Sequence, residues 1–173
     1  MPDTVLFSHQ ALRNEFESTR ASFHDLLNSI PDQALEYKSP GNVWDIKAEL
    51  WHIAQSLGFL APAIINVLRG HPWGALYLHF PVGIRSWING YLLVPFLSRR
   101  ATCREIAQAY DKAYARIMAE FDRTRQGEWA LGAKFPVGYR TLVYIFHNPS
   151  EHFQLHADRT RQNLDLYNKS LGK

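Results

Sequence analysis

Asn42-Val-Trp-Asp-Ile-Lys-Ala-Glu-Leu-Trp-His-Ile-Ala-Gln-Ser-Leu-Gly-Phe-Leu60 reads as a helix with one apolar face. In it and its continuation, Val43, Ile46, Leu50, Ile53, Leu57, Leu60, Ile64 and Leu68 recur at steps of three and four. That spacing keeps a single stripe on one side of a helix of about 3.6 residues per turn. Asn42 suits an N-cap and Gly70 a stop, so the helix is expected from about 42 to 69, with Pro62 marking a kink or break.

Working outward, the same periodicity returns three times. Upstream, Val5, His9, Leu12, Phe16, Thr19, Phe23, Leu26 and Ile30 form a first helix that Pro31 ends, and a Pro/Gly-bearing linker leads to Asn42. Downstream, Thr102-Cys-Arg-Glu105 has the form of a capping box, followed by Ile106, Tyr110, Ala113, Ile117 and Phe121 up to Gly127. A last helix is expected from about Tyr139 to Tyr167, with Pro149 either kinking it or opening a second one. Residues 71–100 alternate aromatics with Gly and Pro and suggest short helical pieces. The hexamers Phe80-Pro-Val-Gly-Ile-Arg85 and Phe135-Pro-Val-Gly-Tyr-Arg140 read as two similar turns rather than a duplicated loop. The expectation is an all-α four-helix bundle with negligible strand, one domain over residues 1–173, and an extended connection (71–100) between the second and third long helices.

Composition narrows the function. A 46% hydrophobic and 20% charged chain of 173 residues has the makeup of one globular domain. A formal charge of +3, with scattered arginines, gives no nucleic-acid footprint. The N-terminal stretch lacks the basic and apolar regions of a signal peptide, and Cys103, the single cysteine, excludes an internal disulfide or a Cys-based zinc site. A cytoplasmic location is expected. The apolar run Ala75–Leu97 is too interrupted to span a bilayer, so it reads as a pocket-lining or buried excursion ahead of a membrane-surface segment.

Eight histidines are present, and the informative ones lie on the second and fourth long helices. His152 and His156, four apart, stand on one helix face and can offer two nitrogens to one ion. By itself this pair is weak evidence, and His52 by itself reads as a hydrogen-bonded core residue.

Ser39-Pro-Gly-Asn-Val-Trp-Asp-Ile-Lys-Ala-Glu-Leu-Trp-His-Ile53 nevertheless resembles the DinB/YfiT-like signature, a small-residue turn, a helix-opening Trp, and a His eight residues later. Leu142-Val-Tyr-Ile-Phe-His-Asn-Pro-Ser-Glu-His-Phe-Gln-Leu-His156 resembles that superfamily's last bundle helix. The resemblance implies one divalent transition metal (zinc, nickel or iron) on His52, His152 and His156. It departs from the family pattern at Ala157-Asp158-Arg159, where Gly-Gln often follows the last His, and at Pro149. It implies metal-dependent thiol S-transfer, or hydrolysis in a detoxifying role, on a small-molecule substrate with a low-molecular-weight thiol as a candidate partner.

Beside the ligands, Glu49 is a candidate to orient an imidazole or accept a proton. Gln55, Asn148, Arg159 and Trp87 are candidate substrate contacts. The remaining histidines read as structural. A second reading is a non-catalytic metal-binding or stress-associated homodimer, in which Trp73, Tyr77, Phe80, Trp87, Tyr91 and Phe96 form an interface instead of roofing the metal.

Overall fold

The computed structural model describes residues 8–70, 82–135 and 138–172. Among them are four long helices, α1 (His9–Asn28), α2 (Ile46–Leu68), α5 (Cys103–Arg123) and α6 (Leu142–Ser170). Between α2 and α5 lie α3 (Val82–Ile88), a π-helical turn (Asn89–Leu93) and α4 (Val94–Ser98). A small hairpin, β1 (Gly132–Phe135) paired antiparallel with β2 (Gly138–Thr141), precedes α6.

Each long helix begins where a side chain satisfies backbone N–H groups that have no intrahelical partner. Ser8 accepts from Ala11 N at 3.1 Å, Asp45 from Ala48 N at 2.7 Å, and Thr141 from Tyr144 N at 3.4 Å. Thr102 and Glu105 form the expected capping box.

Three boundaries differ from the sequence reading. The second helix starts on Asp45, because Asn42 spends its amide on Ser39 Oγ and Asn163 Oδ1, both at 2.7 Å. Val43 therefore stays outside the stripe and is exposed. The third long helix stops at Arg123, where Thr124 turns extended and returns its hydroxyl to Glu120 O, well before Gly127. Residues 139–141 are strand rather than helix, and Gly132 permits the hairpin's tight crossing, since a Cβ there would sit 2.3 Å from Arg140 O. Pro149 lies inside one continuous α6. The two similar hexamers adopt different structures, helix over 82–85 and strand over 138–140.

Cross-helix contacts set the directions. Ser56 meets His152 and Glu49 meets His156, so α2 and α6 run antiparallel. Glu15 meets His147, Thr19 meets Ser150 and Phe23 meets Phe153, so α1 runs parallel to α6. Arg13 pairs with Asp122 and Arg20 with Asp111, so α1 and α5 are antiparallel. It follows that α2 and α5, which pack together, point the same way. The 23 residues of α2 rise about 1.5 Å each, so the chain must travel back about 35 Å before α5 can start. The long connection is a topological requirement of the bundle.

The core lies along the shared axis, with Leu12, Phe16, Phe23, Ile46, Leu50, Ile64, Ile106, Ile117, Phe121, Leu142 and Phe146 fully buried. Phe16, Phe121, Trp129 and Phe146 interlock edge-on or tilted where α1 and α6 begin and α5 ends, with His9 against Phe121 and Trp129. The core therefore anchors one end of the bundle with rings and leaves the polar histidine face of α2 and α6 further along.

The capping box yields a direct test. Thr102→Ala should lower the unfolding free energy by about 1 kcal/mol in denaturant titrations. An unchanged midpoint would put the stability of this helix start entirely in its packed face.

Candidate metal centre

His52 sits in the second turn of α2, and His152 and His156 stand one turn apart on the facing side of α6. The antiparallel packing brings the three rings together, with centroids 5.0 Å apart for His52–His152, 4.7 Å for His52–His156 and 4.5 Å for His152–His156. Each offers a ring nitrogen within 4.8 Å of the others. The sequence placed His52 by resemblance; the tertiary fold puts it opposite the pair.

The surroundings set which nitrogen each α6 histidine presents. Glu49, 3% exposed, accepts from Nδ1 of His156, itself 4% exposed, at 2.5 Å. A buried carboxylate is costly without such a partner, and this one leaves Nε2 of His156 with its lone pair outward. Ser56 donates its one hydroxyl proton to Ile53 O at 2.9 Å. Toward Nδ1 of His152, 3.2 Å away, the same oxygen therefore accepts. His152 then also carries its proton on Nδ1 and keeps Nε2 free. Outer partners of this kind orient metal-binding imidazoles and raise their basicity.

Trp44 supplies a wall. Its indole lies 4.7 Å from the His52 ring and nearly parallel to His156 at 5.7 Å, and its Nε1 donates to Gly90 O at 3.0 Å. Sequence reading used Trp44 as a motif marker and gave it no role; its position eight before His52 was the available signal.

Burial, then the neighbouring His156 and His152, then Arg159, push His52 down to about 2. Burial, then His156 and Arg159, push His152 down to about 3. Both rings stay neutral at ordinary pH and keep their lone pairs, as a metal ligand must.

Beside His152 the face opens into a groove lined by Ile53, Ser56, Leu57, Leu60, Tyr110, Asn148 and Pro149. Tyr110, stacked on Phe23 at 4.0 Å, is held protonated by burial. It was read from sequence only as part of the α5 stripe.

The other candidate residues scatter in role. Asn148 lines the groove; Gln55 is half-buried on α2 and does not line it. Arg159 is exposed one turn beyond His156, and its charge is felt at His52 and His152. Trp87 is 56% exposed and lies outside the groove lining. His147 pairs with Glu15 and His24 with Asp111, away from the three rings. His71 and His79, and Trp73, Tyr77 and Phe80 of the expected metal cover or interface, lie outside the described residues.

The sequence model of the DinB superfamily matches residues 15–157, from the middle of α1 to the residue after His156. The chain belongs to the DinB superfamily. Comparison with curated proteins finds no match. DinB-like proteins bind metals, and the donor set here fits one, with three imidazoles, two of them held with Nε2 free, and a buried carboxylate behind them.

Two outcomes are expected from this DinB domain. Glu49→Gln should weaken affinity for Zn(II), measured by competition with a chromogenic chelator, by about 10- to 100-fold while helix content is retained. An unchanged affinity would make Glu49 a packing residue. The second outcome concerns acid. Unfolded imidazoles take up protons near pH 6.5, whereas the folded His52 and His152 do so only near 2 and 3. The unfolded chain thus binds more protons below pH 6.5, and the metal-free protein should lose stability as pH falls through that window. Denaturant titrations at pH 7.5 and 5 should show the loss, and His52→Gln with His152→Gln should flatten it. An equally steep loss in the double variant would move its origin elsewhere.

Proposed function

We propose that this protein is a divalent-metal-dependent enzyme that uses its three-His group to activate a thiol or a water. The reaction would be S-transfer to, or detoxifying hydrolysis of, a small electrophilic substrate. The observation that carries this reading is the convergence of three imidazoles, two of them (His52 and His152) held neutral by burial, beside a small groove that begins at His152.

His52, His152 and His156 would hold the ion, and nitrogen donors of this type suit zinc, nickel or iron. When bound, the metal supplies the positive charge that makes thiolate or hydroxide available near neutral pH. The chain's own groups do the rest. Glu49 and Ser56 keep two rings oriented. Ile53, Leu57 and Leu60 make the small groove beside His152 apolar and keep water from that side of the rings. The Tyr110 hydroxyl and the Asn148 amide are polar groups able to orient it, and Tyr110, kept protonated, can donate to a developing anion. Arg159, exposed one turn beyond His156 and felt electrostatically at His52 and His152, would attract the carboxylate that small biological thiols commonly carry. An unpaired Cys103 supports a reducing cytoplasmic setting.

A second reading is a non-catalytic metal-binding bundle, which needs the three-His group but no substrate groove.

Elemental analysis of the purified protein should find close to one divalent transition metal per chain, and His152→Ala should remove most of it. Full occupancy in that variant would sink the ligand set. The loaded protein should then consume a chromogenic aryl halide with one of a panel of small thiols, or hydrolyse an activated amide, and lose this on chelation. Tyr110→Phe should lower kcat/KM about tenfold or more with metal content intact. A fully loaded protein inert to every substrate would favour the binding-module reading.

A further inference from the structure

Residues 82–98 form one helical rod, α3, the π turn and α4, whose orientation is inverted relative to an ordinary surface helix. Its inward residues are small: Gly90, Val94 and Ser98 are buried, four apart on one side. A hydrogen bond from the Trp44 indole to Gly90 O fastens this side to the bundle. The bulky apolar residues point the other way. Trp87 is 56% exposed, Tyr91 64% and Phe96 79%, with Ile84 and Leu92 about half exposed beside them. A globular surface helix hides such residues; contiguous exposure on this scale marks an interaction surface.

Charge narrows what the surface meets. From Leu50 to Arg104 the sequence contains no Asp or Glu, while it carries Arg69, Arg85, Arg99, Arg100 and Arg104. Arg99, Arg100 and Arg104 are exposed just past the end of the rod. Of the carboxylates brought near by other elements, Glu36 is paired with Lys47, which also donates to Arg99 O, Asp32 lies toward Cys103, and Glu105, next to Arg104, is turned onto the N–H and hydroxyl of Thr102. A second copy packed symmetrically on this face would bring like charges together. An anionic partner with an apolar interior gains from both parts.

We infer that the 82–98 rod is a membrane-surface element that seats its aromatic face among the acyl chains and headgroups of an anionic phospholipid leaflet. Trp and Tyr favour the headgroup level, Phe and Leu the acyl boundary, and flanking arginines the negative surface potential. The sequence alone favoured a pocket-lining excursion here, because periodicity does not say which side of a helix faces the bundle. In the seated protein the Trp44–Gly90 bond ties the rod to the wall of the three-His site, so the site's position relative to the leaflet is fixed.

The test uses the full-length protein in its metal-loaded form with extruded vesicles, either phosphatidylcholine alone or an equal mixture with phosphatidylglycerol. Co-sedimentation should show binding to the mixed vesicles that weakens with added salt, and much weaker binding to phosphatidylcholine alone. W87S with F96S should reduce the partition coefficient about tenfold or more, and R99Q with R100Q severalfold, with helix content and metal content unchanged. All four side chains are exposed, so folding is spared, and because metal content is read separately, failure of the site leaves this result interpretable. Absence of binding to anionic vesicles, or binding indifferent to the aromatic pair, would overturn the inference. So would a dimer in sedimentation velocity that W87S with F96S converts to monomer without any vesicle binding, which would assign the face to a second copy.

Discussion

A carboxylate can remain between two packed helices only where a partner compensates its lost hydration, and Glu49 meets that condition through Nδ1 of His156. Much of the molecule's arrangement follows from this one contact. It sets the register of α2 against α6, because sliding either helix by a turn would strand the charge. With that register fixed, Ser56 falls opposite His152 and Asn42 opposite Asn163, giving a polar seam that runs beside the apolar stripe. His52 lies on the seam between Glu49 and Ser56, at steps of three and four. The three-His group is therefore a by-product of the same alignment that satisfies the buried acid. The Asn42 contact has a further effect: by holding the entry loop on α6, it sets Trp44 over the rings whose desolvation it increases.

The topology imposes a second constraint. Because α2 and α5 are parallel neighbours, the chain between them must run back along the bundle, and it uses part of that path to lay down the 82–98 rod. The π turn at Asn89–Leu93 adds backbone where Gly90 meets Trp44, and helices that carry such bulges often do so at functional positions. The rod touches the bundle through small residues and leaves its large ones outside. A surface built this way is stable only because the buried aromatic end of the core, around Phe121 and Phe146, supplies the folding free energy elsewhere.

Several features were legible in the amino-acid sequence because they are set by neighbours along the chain. The four helices follow from apolar residues three and four apart, the start of α5 from Thr102 and Glu105, and the His152–His156 pair from one turn of helix. Where competing local signals existed, the reading slipped: Asn42 and Asp45 are both good caps, and which one caps depends on whether Asn163 is there to take the other's amide. The β-hairpin before α6 was missed because Gly138 to Thr141 carries too short a pattern to separate from a helix start, and its pairing is with residues that precede it.

What the sequence by itself determined, then, was the number and amphipathic character of the long helices and the residue types able to ligate a metal. Only the tertiary structure decided that His52 faces His152 and His156, that Glu49 serves His156, that Tyr110 joins the groove, and that Trp87 and Phe96 look outward. The physical reason is that local periodicity fixes which residues share a face, while the direction and register in which faces meet come from satisfying buried polar groups across the whole chain.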